Sequence, residues 1–178
     1  MDDRRQGKRK STLGDDGDLL GILLQNELYR GDDERTKDEL IIFFLAGNET
    51  VKVSSTNTVC YLTQYPTVKN NFMNCIIPTL DKTSENFVEK LTIEEVETLE
   101  YVRFCWHESM RLQPPAPGSS TNKFSKTVRI KGIDFTPTTG WTVNFQAIHN
   151  DPKEWIEPER YEPDRFNPSS KMFLRPDG

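Results

Sequence analysis

The stretch that most limits what this chain can become is Thr92–Pro115. Thr92 followed three places later by Glu95 is a capping box, in which hydroxyl and carboxylate each satisfy a free backbone N–H at a helix start. Val96, Leu99, Val102, Trp106 and Met110 then recur at helical spacing as an apolar stripe. Pro114 and Pro115 close the segment, because a proline disfavours helical geometry in the residue before it. The pattern predicts one helix over this stretch. Glu108 and Arg111 lie three apart, as neighbours on its surface, with Phe104, Cys105 and Leu112 around the carboxylate. Spacing alone leaves two readings. One is an exposed pair worth about 0.3–0.5 kcal/mol. The other is a buried carboxylate, which must be paired, and whose pair costs about 3–5 kcal/mol to break.

A chain of 178 residues is long enough for one domain with a substantial core, yet only 34% is hydrophobic and 29% charged. That core is thin, so part of the chain is expected to stay unpacked. A net charge of −5 argues against nucleic acid as a partner, since phosphate contacts need excess Lys and Arg. Cys60, Cys75 and Cys105 are odd in number and widely spaced, which gives neither a disulfide framework nor a CxxC zinc site. Only His107 and His149 could join them in a metal site. The cysteine usage suits a reducing compartment. The longest apolar run, Leu40–Ala46, is far shorter than the roughly 20 residues of a membrane-spanning helix. Met1–Asp18 is charged and lacks the apolar core of a secretory signal.

In chain order, residues 1–17 read as a solvated, disordered tail that includes the basic run Lys8, Arg9 and Lys10. Residues 18–178 read as the folded part. Asp18–Tyr29 has Leu19, Leu20, Leu23, Leu24 and Leu28 at helical spacing behind Asp18 as a cap. Thr36 and Glu39 form a second capping box, opening a long helix that ends before Pro66. Leu40–Ala46 is apolar all round and is expected to be buried on all sides. The pattern breaks at Ala46, Gly47, Asn48, Glu49 and Thr50. There a glycine permits close approach of a flat ligand, and a mid-helix threonine can bond the carbonyl four residues back. The plainer alternative is that the helix surfaces at that point. Pro66 suits the first turn of a further helix carrying Val68, Phe72, Cys75 and Ile76 on one face, ended by Pro78, and Asp81–Phe87 is a short link.

After Pro115 the character changes. Val128–Ile130 and Ile133–Phe135 read as a hairpin turning at Gly132, and Trp141–Phe145 as a third strand. Asp151 and Pro152 cap a short helical turn containing Trp155. From Glu157 the prolines at 158, 163 and 168 forbid regular structure and predict a packed meander.

These pieces, in this order, resemble the cytochrome P-450 family of haem-thiolate monooxygenases. Ala46 to Thr50 resembles the family's distal helix motif, and Glu108 to Arg111 its Glu-x-x-Arg, followed by Leu112, Pro114 and Pro115. Val128–Phe145 resembles the small sheet, and His149 to Pro152 with Pro163 to Phe166 resembles the approach to the meander and its Pro-Glu-Arg-Phe. The resemblance implies a mainly α fold with a small β-sheet, a partial P-450 fold from distal helix to meander. It implies haem, with Ala46 and Gly47 against its face and Glu49 and Thr50 as the acid–alcohol pair that delivers protons. Glu108, Arg111 and Arg165 would form the buried triad that fastens the central helix to the meander. The implied activity is insertion of one oxygen atom of O2 into a small apolar organic substrate, with electrons from an NAD(P)H-dependent reductase. The full-length family member belongs at the cytosolic face of the endoplasmic reticulum membrane. This chain is expected to be cytoplasmic as it stands, since no anchor is seen in it. The family's thiolate loop follows the meander and is not found here, and none of Cys60, Cys75 or Cys105 substitutes for it. The chain is therefore expected to be an incomplete member, with an inactive fragment acting as a binding module as the alternative.

Overall fold

A computed structural model describes residues 18–79 and 92–173. The expected tail at residues 1–17 and the link at Asp81–Phe87 lie outside the described residues. Compactness divides the chain into two units, residues 1–50 and 51–178.

In the first unit, α1 (Leu19–Gln25) starts where the sequence places it, with the Asp18 side chain accepting from the Gly21 N–H. It is shorter than the leucine pattern, because Asn26 leaves helical geometry and caps it. The long helix α2 (Asp33–Gln64) begins one turn before the expected box. Its cap is Asp32, whose carboxylate accepts from the Arg35 N–H at 2.9 Å. Thr36, fully buried, instead donates its hydroxyl to the Asp32 carbonyl at 2.8 Å. The run Leu40–Ala46 is not buried on all sides. Ile41, Ile42, Phe43, Phe44 and Leu45 are all exposed, Phe44 at 70%. The sequence pattern is right for an interior helix, but nothing among the described residues covers it.

The boundary between units falls inside α2, and its C-terminal part belongs to the second unit. There α3 (Pro66–Ile76) carries proline at its first turn, as expected. The central stretch makes two helices rather than one, α4 (Ile93–Glu97) and α5 (Glu100–Leu112). The capping box at Thr92 and Glu95 forms. The helix then breaks because the Thr98 hydroxyl bonds the Glu95 carbonyl at 2.7 Å, and Leu99 turns out of helical geometry to become buried. Carbonyls at the end of α5 are satisfied by distant amides, Gln146 donating to Leu112 O at 2.8 Å and Asn57 to Gln113 O at 3.2 Å.

Two small antiparallel sheets follow. β1 (Asn122–Lys123) pairs with β4 (Gly140–Trp141), and β2 (Val128–Ile130) with β3 (Ile133–Phe135). The β2–β3 turn has positive φ at both Lys131 (49°) and Gly132 (82°), the arrangement that matches strand twist. The expected third strand is confined to β4. Phe145 opens α6 (Phe145–His149), because the Asn144 side chain accepts from the Ala147 N–H and caps a helix there. Asp151 and Pro152 open a single helical turn that reaches Trp155: the Glu154 and Trp155 N–H groups both donate to the Asp151 carbonyl at 3.0 Å, and the Asp151 carboxylate accepts from the Lys153 N–H. The meander is irregular apart from 3-10 turns at Pro163–Phe166 and Lys171–Phe173.

Candidate functional site

The second unit is centred on a buried charge cluster. Glu108 is 0% exposed and its two oxygens receive four donors. Oε2 accepts from Arg111 Nε at 2.7 Å. Oε1 accepts from Arg111 Nη2 at 2.8 Å, Arg165 Nε at 3.1 Å and the Glu162 N–H at 2.8 Å. Helical spacing supplies the Arg111 contact, while Arg165 and Glu162 arrive from the meander, more than fifty residues away. The structure therefore brings Glu108, Arg111 and Arg165 together, in the interior, with Arg111 and Arg165 only 2% and 3% exposed.

Two cations against one anion leave a surplus positive charge, which main-chain carbonyls take up. Arg111 donates to His149 O at 2.7 Å and Arg160 O at 3.2 Å. Arg165 donates to the carbonyls of Ile156, Glu157 and Arg160. Glu157 sits in left-handed geometry (φ 46°), unusual for a side chain of its kind, at the point where its carbonyl meets Arg165. Burial draws the Arg165 pKa below its ordinary value, against the pull of the Glu108 carboxylate. The guanidinium stays charged, as arginine does in proteins. The Arg111 guanidinium also lies over the Trp155 ring, 5.0 Å from its centre.

Tyr161 completes the junction, and no periodicity in the sequence singled it out. It is 1% exposed, donates to the Cys105 carbonyl at 2.9 Å, and shares a 3.2 Å bond with the Ser109 hydroxyl. Its ring stacks on Tyr61 of α2 at 4.5 Å. Burial raises its phenol well above the usual tyrosine range.

The other sequence-predicted residues lie in the first unit. Ala46, Gly47, Glu49 and Thr50 are exposed on α2. The Thr50 hydroxyl donates to the Ala46 carbonyl at 2.8 Å. A Cβ built on Gly47 would meet nothing within 4 Å.

A family model described as cytochrome P450 matches residues 3–178. The chain belongs to the cytochrome P450 family. Among curated P450 relatives it is 33% identical to Cytochrome P450 71B31 of Arabidopsis thaliana over 165 residues, covering 89% of this chain and 32% of that one. It is 30% identical to Tabersonine 16-hydroxylase 2 of Catharanthus roseus over 188 residues, covering 96% and 34%. The chain thus spans about a third of the length of the curated relatives it matches. The fold agrees. A retinoic acid-bound cyanobacterial P450, CYP120A1, superposes with a TM-score of 0.71 at 24% identity, covering 97% of this chain and 38% of that chain. A zebra fish cytochrome P450 with progesterone gives 0.60 at 24% identity, covering 71% and 29%. This P450 chain is accordingly mostly helical with small antiparallel sheets, and no helix among its described residues is long and apolar enough to cross a membrane.

P450s are haem proteins, and the described residues answer only in part to that group. Gly47 leaves open space on one face of α2, against which a flat group could lie. Cys105 is fully buried and its thiol is pushed up to about 12 by burial, so it stays protonated. Cys60 and Cys75 sit within helices α2 and α3, and no group of three or more metal-binding side chains occurs among the described residues.

Proposed function

We propose that this chain is the distal-helix-to-meander part of a haem monooxygenase that inserts one oxygen atom of O2 into a small apolar organic substrate. Electrons would come from an NAD(P)H-dependent reductase, and the whole protein would work at the endoplasmic reticulum membrane. The observation that carries the reading is the buried cluster of Glu108, Arg111 and Arg165, which ties α5 to the meander in a chain whose family is cytochrome P450. Haem, when bound, supplies the activation of dioxygen. Ala46 and Gly47 are the residues that would lie against it. The Thr50 hydroxyl, its own proton committed to the Ala46 carbonyl, keeps lone pairs to hold a water. The neighbouring Glu49 side chain, taking up a proton from solvent, can relay it to that water.

The test uses the complete gene product carrying this chain, purified with haem and a reductase. Reduction under carbon monoxide should give the spectrum of a thiolate-ligated haem. Thr50→Ala should keep that spectrum while diverting NAD(P)H-derived electrons from product to peroxide. Failure of the complete product to take up haem would overturn the reading.

A second reading, a binding module, is favoured by the exposed run Ile41–Leu45, since an exposed apolar patch marks an interaction surface. Pull-down and size exclusion test it. A compact monomer that captures nothing counts against it.

A further inference from the structure

The β2–β3 hairpin of the second unit carries a surface that the charge cluster does not use. Its register pairs Val128 with Phe135, Arg129 with Asp134, and Ile130 with Ile133, the last pair flanking the turn at Lys131 and Gly132. Side chains alternate between faces along a strand, so Val128, Ile130, Ile133 and Phe135 share one face. At the base that face is covered. Phe135 is half-buried and meets the Phe124 ring edge-on at 6.1 Å, and Trp141 stacks on Phe124 at 5.6 Å. At the tip it is bare, with Ile130 44% and Ile133 62% exposed. The same segment is basic. Residues 123–135 hold Lys123, Lys126, Arg129 and Lys131 against the single acid Asp134, and all five are exposed. Arg129 answers Asp134 at 3.3 Å, which leaves the three lysines as a local positive excess in a chain whose net charge is −5.

An occupant has to answer both parts of this surface. A soluble polyanion satisfies the lysines and gains nothing from two bare isoleucines. A neutral apolar groove takes the isoleucines and leaves the lysines unmatched. An anionic lipid surface meets both, with phosphates at the depth of the lysine heads and the acyl boundary just beneath. We propose that the tip of the β2–β3 hairpin docks on an anionic phospholipid surface, with Ile130 and Ile133 entering the headgroup–acyl boundary and Lys126 and Lys131 meeting the phosphates. This deepens the membrane part of the monooxygenase reading and rests on it for which membrane is met. Lipid binding needs no haem, so the haem spectrum of the complete product and the vesicle binding of this chain can fail independently.

The probes are vesicles of phosphatidylcholine alone and of equimolar phosphatidylcholine and phosphatidylserine, sedimented with the 178-residue chain. The mixed vesicles should bind it about tenfold or more tightly than the neutral ones, and added salt should erode that preference. Lys126→Ser with Lys131→Ser should lower binding to the mixed vesicles by about tenfold. Ile130→Thr with Ile133→Thr keeps the β-branched strand shape and should lower it by about fivefold. All four positions are exposed, so the urea midpoint should hardly move in either variant. Lys8→Ser with Lys10→Ser removes the same charge from the other basic run and should lower binding less than the hairpin lysine pair does. Phe44→Ser, in the exposed run of α2, should leave the preference for mixed vesicles unchanged. Equal binding to both vesicles, or none to either, would overturn the proposal. So would a loss with the lysine pair but none with the isoleucine pair, which is the behaviour of a site for soluble polyanions.

Discussion

Glu108→Gln keeps the side chain's shape and removes its charge. Four N–H donors converge on the wild-type carboxylate, from Arg111 (two), Arg165 and Glu162. The amide replaces one oxygen with a second donor group, so at least one donor is left facing a donor. Both guanidiniums then remain buried with no anion between them. Removing one partner of a buried ion pair costs ~3–5 kcal/mol, and this carboxylate serves two cations, which places the expected loss at about 4 kcal/mol or above. A domain holding ~5–15 kcal/mol in all would lose a large share of it. With a urea slope of ~1–3 kcal/mol/M, the unfolding midpoint should fall by roughly 1.3–4 M. Urea titration followed by tryptophan fluorescence reads this directly, since Trp155 lies over Arg111 in the folded state. The internal control is Asp134→Asn, which breaks the Arg129–Asp134 bridge whose side chains are 71% and 56% exposed. That change should cost ~0.2–1 kcal/mol. If Glu108→Gln costs no more than Asp134→Asn, the cluster is not what holds the meander to α5.

Three further outcomes follow from burial. Alkylation of the folded chain near pH 8 should label Cys60, which is exposed, and spare Cys105, whose thiol is held up to about 12; mass spectrometry after denaturation should then find Cys105 labelled as well. His107 has its folded pKa lowered, chiefly by burial, so the unfolded chain binds more protons as pH falls below about 6.5; stability should decline there until the folded pKa is passed, and His107→Gln should flatten that part of the urea-midpoint profile against pH. Tyr161→Phe should cost only about 1 kcal/mol by the same titration, because the Ser109 hydroxyl still donates to the Cys105 carbonyl at 2.8 Å and leaves no buried acceptor bare.

Much of the fold was legible because it is local. The caps at Asp18 and Thr92, the proline at the start of α3 and the glycine turn of the β2–β3 hairpin are short-range devices, and each formed where the pattern put it. Departures came where two local devices compete. Thr98 lies between Val96 and Leu99 of an unbroken apolar stripe, yet its hydroxyl bonds a carbonyl and stops the helix. Asn144 sits inside an alternating strand pattern and caps α6 instead. Leu40–Ala46 is exposed against its pattern for another reason: periodicity reports what a helix can bury, not what is there to cover it. At the candidate site, the Glu108–Arg111 contact was readable from helical spacing. Arg165 was readable only through the family resemblance, because no pattern links residues this far apart. The carbonyls that absorb the surplus charge were not readable at all, since every residue carries one.

That last fact bears on how the meander can change over generations. Each anchoring arginine grips Ile156, Glu157, Arg160 or His149 through atoms common to all amino acids, so the identities at 149, 156 and 160 are free to drift while the grip persists, and position 157 is limited only by its left-handed backbone. Glu108, Arg111 and Arg165 have no such latitude, for their grip is written in side chains. A library randomised across the meander should accordingly tolerate many letters at positions 156 and 160 and almost none at 165.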